Sequence, residues 1–225
     1  MKKIGIIGGL GPLATVKFLE LIKKELKHQN QEAEIVVIND PTTPDRTEYI
    51  LNNDKPNPIN KILDMVNKLN LAKVDVIVMP CNTASYFYKE ILDNTNIHFI
   101  NIVSETVNEI KKLGIKKVAL LATYGTVKSQ IYETLLEKEN IKCIIPDSIG
   151  MKITADVIYK KVKQNENIKI DNFYNLIEEL KEEGAQKIIF GCTELSALKQ
   201  IENINDNYII DAMEILAKNT VESIK

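Results

Sequence analysis

The chain has 225 residues, with 29 Lys and Arg set against 31 Asp and Glu, and its net charge of −2 marks out no surface for nucleic acid or an anionic membrane. Its 44% hydrophobic and 27% charged residues are the balance of a globular protein with one large core or two small ones. Glycines, a proline and Lys17 break the first apolar run too early for a signal peptide or a membrane span, so a cytoplasmic location is expected. Three widely spaced cysteines, an odd number with no Cys-x-x-Cys pair, fit reduced thiols better than a disulfide framework. His28 and His98 stand too isolated for a metal site.

In chain order, residues 3–7 are a β-rich apolar run that Gly8-Gly-Leu-Gly-Pro12 interrupts. A helix is expected over 13–27, with Val16, Phe18, Leu19, Ile22 and Leu26 on its apolar face. Residues 34–38 read as the second strand. The segments 39–47 and 52–58 are polar, proline-bearing loops, long for a compact domain, which points to function. A helix over 59–71 leads to Val76-Ile-Val-Met-Pro-Cys-Asn-Thr-Ala84, followed by a helix over 85–92 and a short strand over 97–100. This strand, turn and helix put Cys81 at the carboxyl end of a strand, where open α/β sheets place ligands. The helix N-terminus beyond it is expected to lower the thiol pKa. Asn82 and Thr83 can cap that helix or donate to a bound carboxylate. A small buried apolar residue is the plain alternative for Cys81.

The pattern then starts again. Lys116-Lys-Val-Ala-Leu-Leu-Ala-Thr-Tyr-Gly-Thr126 repeats the opening strand and glycine turn at an offset of 114 positions. After helix 127–138, strand 142–145 and helices 154–163 and 173–183, Lys187-Ile-Ile-Phe-Gly-Cys-Thr-Glu-Leu195 echoes the Cys81 segment at an offset of 111. Offsets this close, with a cysteine at the same place after the strand, are the mark of an internal duplication. A last strand over 208–210 and a helix from 212 onward complete the chain. The expected fold class is α/β: two pseudo-symmetric, doubly wound lobes with parallel four-stranded sheets and a cleft between them. One lobe takes residues 1–103 plus 211–225 and carries Cys81; the other takes 104–210 and carries Cys192.

Thiols on opposite walls of one cleft can exchange a proton with the two faces of a carbon, a two-base inversion. The carbanion needs donors aimed at the substrate carboxylate, and Asn82, Thr83 and Thr193 stand where they can serve. Arg46, in a long polar loop, suits a bidentate carboxylate contact. Lys163 belongs to a lysine-rich stretch that reads equally well as a solvated helix face. Thr123, Thr126 and Ser129 either line the cleft or shape its turn, with Thr126 counted among the substrate-binding candidates. Glu194 reads first as a cap or ion pair, and Cys143, inside an apolar strand, as structural.

Pro80-Cys-Asn-Thr-Ala84 and Gly191-Cys-Thr-Glu-Leu195, together with Gly8-Gly-Leu-Gly-Pro-Leu-Ala-Thr15 and Ala122-Thr-Tyr-Gly-Thr126, resemble the aspartate/glutamate racemase superfamily, above all its cofactor-independent aspartate racemases. The resemblance spans almost the whole chain. It implies an isomerase that interconverts L- and D-aspartate, and glutamate as a further substrate, with Cys81 and Cys192 as proton donor and acceptor and no cofactor. It implies that Asn82, Thr83 and Ala84 contact the α-carboxylate side. It also implies that Arg46 and Lys163, or in place of the latter Lys160 or Lys161, hold the side-chain carboxylate, and that the protein is a homodimer.

Two other readings compete. Gly9-Leu-Gly-Pro-Leu-Ala14, with Asp40 after the second strand, fits a Rossmann-type dinucleotide-binding oxidoreductase, though Pro12 removes an N–H from the phosphate loop and Asp40 lies too far along the chain. A non-catalytic, two-lobed carboxylate-binding module would need the carboxylate-binding residues but not the thiols.

Overall fold

The first strand of each half is apolar almost throughout, because helices cover both faces of a parallel sheet and leave no side for polar residues. In the computed structural model, which describes residues 1–225, these strands are β1 (Lys2–Gly8) and β5 (Lys117–Leu121). Around β1 lie β2 (Ala33–Asn39), β3 (Val76–Val78) and β4 (His98–Ile100). Around β5 lie β6 (Lys142–Ile144), β7 (Lys187–Phe190) and β8 (Ile209–Asp211). The strand orders are β2-β1-β3-β4 and β6-β5-β7-β8, and every pairing is parallel. The two sheets have one topology, as the repeated motifs predict, and the expected fold class is the observed one.

Helices connect the strands. In the first half these are α1 (Pro12–His28), α2 (Arg46–Leu51), α3 (Ile59–Leu71), a 3-10 turn (Thr83–Phe87) running into α4 (Tyr88–Leu92), and α5 (Ile102–Lys112). In the second they are α6 (Tyr124–Lys128), α7 (Ile131–Lys138), α8 (Ser148–Asp156), a π-helical segment (Val157–Lys163), α9 (Asp171–Glu182), α10 (Thr193–Ile201) and α11 (Ala212–Glu222). Pro12 stands at the first turn of α1, where its missing N–H costs nothing and its fixed φ suits the helix.

Several elements depart from expectation. Val16 is 53% exposed, because α1 buries Ala14, Phe18, Leu21 and Ile22 instead. The loop expected over 39–47 ends two residues early, where Asp45 caps α2 by accepting from the Glu48 N–H at 3.0 Å. The single helix expected over 127–138 is broken at Gln130, which is left-handed at φ 54°. The helix expected over 154–163 begins earlier, at Ser148, and its second half winds as a π-helix. Helix α5 went unread; Asn101 starts it, accepting from the N–H groups of Val103 and Ser104, both at 3.0 Å.

The largest apolar cluster draws on both sheets: Ile4, Ile6, Val76 and Val78 from one, Val118, Leu120 and Ile189 from the other, with Met213, Leu216 and Val221 of α11 between them. The last helix packs against α1 and α5 of the first half and also touches α10. Asp211 strengthens that junction. It caps α11 through the Met213 and Glu214 N–H groups and accepts the Ser196 hydroxyl of α10 at 2.6 Å. Because Leu216 sits fully buried in the shared cluster, Leu216→Ala is expected to cost about 2–5 kcal/mol in urea denaturation and to weaken both halves together.

Candidate active site

Strands β3 and β7 hold the same place in their sheets, and each gives way to a cysteine. Pro80 cannot continue a ladder, so the chain turns at once, with the Cys81 N–H donating to the Met79 carbonyl at 2.7 Å. After β7, Gly191 passes where a Cβ would stand 2.6 Å from Leu120, and Cys192 then takes extended backbone as the residue before α10. The thiols are nearly buried, the residues being 7% and 5% exposed, and they line a single pocket. Its space is about 10 Å³, enough for roughly one water molecule. A wider groove of about 430 Å³ continues from it between the Gly9–Leu13 loop, Pro41, Thr43 and Val162.

Arg46, Asn82, Thr83, Thr193 and Lys163 line the same pocket as the cysteines, and Asp45, Thr123 and Glu194 join them. Arg46 is buried and spends its guanidinium on backbone carbonyls: those of Leu10, of Pro44 at 3.0 Å and of Thr43 at 3.4 Å. Its Nε has no partner. Lys163 Nζ sits 3.8 Å from Asp45 and 4.0 Å from Glu194, and 4.4 Å over the Tyr159 ring. Of the neighbouring lysines, Lys160 pairs with Asp156 at 2.8 Å and Lys161 with Glu202 at 3.3 Å, and neither reaches the pocket. Asn82 accepts the buried Tyr132 hydroxyl at 2.6 Å, while its own amide nitrogen is unpartnered. The hydroxyls of Thr83, Thr123 and Thr126 form a triangle 2.9 to 3.1 Å on a side, joining the loop after β3 to the turn after β5. Thr126, one corner of that triangle, is fully buried and, unlike Thr83 and Thr123, does not line the pocket. Ala84 is also fully buried, its methyl group in the first half's core and its N–H toward the Cys81 thiol.

Burial pushes the Cys81 thiol up; Arg46 and then the Ala84 N–H pull it partway back. The expected lowering by a helix N-terminus does not prevail, because a short 3-10 turn and a one-turn helix follow Cys81 and carry little dipole. Burial also lifts Cys192, well above the ordinary thiol value, and Glu194 adds to the shift; Lys163 opposes it. Burial works to lower Lys163, but the Glu194 carboxylate, with Asp45 behind it, raises it on balance.

Glu194 is the residue whose place the motif underplayed. Its Oε2 accepts a hydrogen bond from the Cys192 thiol at 2.9 Å and one from Thr193 at 3.4 Å. Its Oε1 lies where a Cβ on Gly11 would come within 2.5 Å, over the start of α1. That position, at the N-terminus following the glycine turn, is where a dinucleotide fingerprint would seat pyrophosphate. Asp40, the ribose-binding candidate of that reading, is instead tied to Thr42 and Lys61, and the Thr42 hydroxyl foremost holds its pKa down at about 2. Cys143 lies apart from the pocket in β6, and burial raises its thiol to about 12.

Two matching parallel sheets whose third strands end at one pocket define a two-lobed α/β protein with its site at the carboxyl ends of its strands. The sequence pattern of the Asp/Glu/Hydantoin racemase family matches residues 7–220, and the chain belongs to that family. It is similar to the broad specificity amino-acid racemase RacX of Bacillus subtilis, with 29% identity covering 98% of this chain and 97% of that one. It is also similar to the solved Picrophilus torridus aspartate racemase, at 33% identity and a TM-score of 0.82 over 99% of this chain and 94% of that one. A glutamate racemase of Aquifex pyrophilus is 26% identical across 99% of this chain and 84% of its own. The resemblance drawn from the cysteine motifs therefore holds at the level of the family. No helix is long and apolar enough to cross a membrane.

The Tyr132 to Asn82 bond supports the pocket floor from a fully buried position. Tyr132→Phe leaves the Asn82 oxygen without its donor and is expected to cost about 1–3 kcal/mol, measured by chemical denaturation.

Proposed function

We propose that the protein is an amino-acid racemase that interconverts L- and D-aspartate, with glutamate as a further substrate, by proton exchange between Cys81 and Cys192 and without a cofactor. The observation that carries this reading is that two thiols, 111 positions apart on corresponding strand ends, line one pocket. One thiolate removes the Cα proton and the opposite thiol returns a proton to the other face, so each turnover exchanges the protonation states of the pair. Donors aimed at the α-carboxylate stabilise the carbanion, each worth roughly 3 kcal/mol. The unpartnered Asn82 amide and the hydroxyls of Thr83 and Thr193 are assigned that role, with Thr126 supporting Thr83 from behind and the Ala84 N–H serving the Cys81 thiol. Arg46 and Lys163 are assigned the distal carboxylate. The inner pocket of about 10 Å³ is too small for a dicarboxylate as it stands, so substrate binding on this reading requires the lining to move or the ligand to extend into the adjoining groove of about 430 Å³.

A wider substrate range is the second reading. It is favoured by the adjoining groove of about 430 Å³ lined by Leu10, Pro12, Leu13 and Val162, which offers apolar contact to a longer side chain. A homodimer and a cytoplasmic location, both suggested by the sequence, are carried as part of the proposal; light scattering tests the first.

Incubation of L-aspartate in D2O is expected to replace the Cα–H NMR signal with deuterium as the D enantiomer accumulates. Cys81→Ser and Cys192→Ser are each expected to slow this by about 10²–10⁴-fold while ligand affinity is kept. Undiminished exchange in both variants sinks the two-base mechanism, and unchanged affinity in a wild type that exchanges no proton supports a binding module instead. Because burial raises Cys81, its thiolate fraction grows with pH, and kcat/KM is expected to climb from neutrality past the ordinary thiol pKa of about 8.5. A rate that is flat or falling over that range contradicts the assignment.

A further inference from the structure

The two thiols sit in like positions but unlike company. Cys192 gives its hydrogen bond to the Glu194 carboxylate at 2.9 Å, on the first turn of the nine-residue helix α10. Glu194 is itself 6% exposed and wedged against Gly11, so its carboxylate has little room to swing away. The groups around Cys192 are that carboxylate, Lys163 on the opposite side of Glu194, and the phenols of Tyr159 and Tyr132. Burial pushes both phenols up, Tyr159 to about 12, so they stay neutral. Cys81 has no carboxylate bonded to it. Its dominant charged neighbour is Arg46, whose guanidinium is held by neutral carbonyls and keeps its full charge, with Lys163 and Glu194 acting more weakly.

We propose that Glu194 is a positioning residue that decides which thiol ionises first: it holds Cys192 as the protonated donor and leaves Cys81, beside Arg46, as the thiol that gives up its proton more readily. The inference rests on the racemase reading for its use, but not for its chemistry. A carboxylate that accepts from a thiol stabilises the S–H form, and it repels a thiolate at the same place, an effect of about one to three pH units for a neighbouring like charge. The resting protein is thereby prepared for the enantiomer whose proton faces Cys81. The other enantiomer requires the minor protonation form, in which Cys192 carries the charge.

The test is alkylation of the native protein by iodoacetamide under single-hit conditions across a pH series, with each cysteine's rate read by peptide mass spectrometry. In the wild type, Cys81 is expected to react at lower pH than Cys192. Glu194→Gln keeps the shape, removes the charge and is expected to raise the rate of Cys192 relative to Cys81 by about tenfold or more, moving its profile to lower pH. Glu194→Asp keeps the charge and is expected to restore most of the retardation. Cys143 serves as the folding control, since its thiol stays slow while β6 is intact. Should Glu194→Gln expose Cys143, Lys163→Met provides the opposite arm, because loss of the counter-charge is expected to slow Cys192 further. A wild type in which Cys192 reacts at lower pH than Cys81, or a Cys192 profile that moves in none of the variants, overturns the proposal. Aspartate racemisation measured on the same samples separates the two readings: a shifted Cys192 profile without turnover supports this inference and refutes the racemase assignment, and turnover with an unmoved profile does the reverse.

Discussion

Two thiols enclosed in one nearly dry pocket are the constraint around which this site is arranged, and on the proposed mechanism one of them must carry charge there. Burial alone pushes both cysteines away from ionisation, the reverse of what a base needs. The site answers with fixed cations. Arg46 is held by carbonyls of two different loops, so its charge is positioned without being neutralised. Lys163 lies between Asp45 and Glu194, close to both but tightly bound to neither. The long polar loop after β2 and the π-wound segment before residue 164 exist, on this view, to bring those two charges to the strand ends, and irregular helical winding is a frequent feature of such sites.

Duplication accounts for the scaffold but not for the chemistry. Equivalent strands in two sheets of one topology deliver two thiols to one place, as the proposed proton exchange at both faces of a stereocentre requires. The surroundings then diverge. Cys81 follows a proline and precedes a 3-10 turn, whereas Cys192 follows a glycine and opens a regular helix with an acid in its first turn. The threonine triangle ties the halves near the pocket, and the shared core with α11 ties them on the side of the helices. The two ties differ in kind, hydroxyl contacts at the cleft and apolar packing away from it.

Much of this was legible in the order of residues. The central strands are short apolar runs ended by glycine or proline, and the near-equal offsets between repeated motifs carry the two-sheet fold. Arg46, Asn82, Thr83 and Thr193 line the pocket because each falls at or near the start of the helical segment that follows a strand, the side of the sheet where an α/β fold seats ligands. Helix α1 was found but its face was misjudged at Val16, since Leu21 and Ala14 complete the buried stripe equally well by spacing. The break at Gln130 and the π winding over Val157–Lys163 leave no mark in hydrophobic periodicity, and tertiary contacts decide them. Glu194 was visible as a letter but not as a partner. Its bond to Cys192 is local to the motif, but its seat against Gly11 joins the two halves, and no local pattern reports that meeting.

Charge accounting at the pocket bears on which amino acid fits it best. Two cations and two carboxylates line it, which suggests neutrality, yet the pairing is uneven. Both acids lean toward Lys163, and Asp45 spends its other oxygen capping α2. Arg46 is left with dipoles only, and with a buried Nε that donates to nothing. A buried guanidinium without an anion, with one donor free, gains from a carboxylate more than from any neutral group of the same shape, because charge-assisted bonds are about twice as strong as neutral ones. On the proposed reading this favours an acidic side chain in the inner pocket. Apolar residues in the mixed lining of the outer groove, Leu10, Leu13 and Val162, would have to offset the loss of that contact before a neutral amino acid could compete.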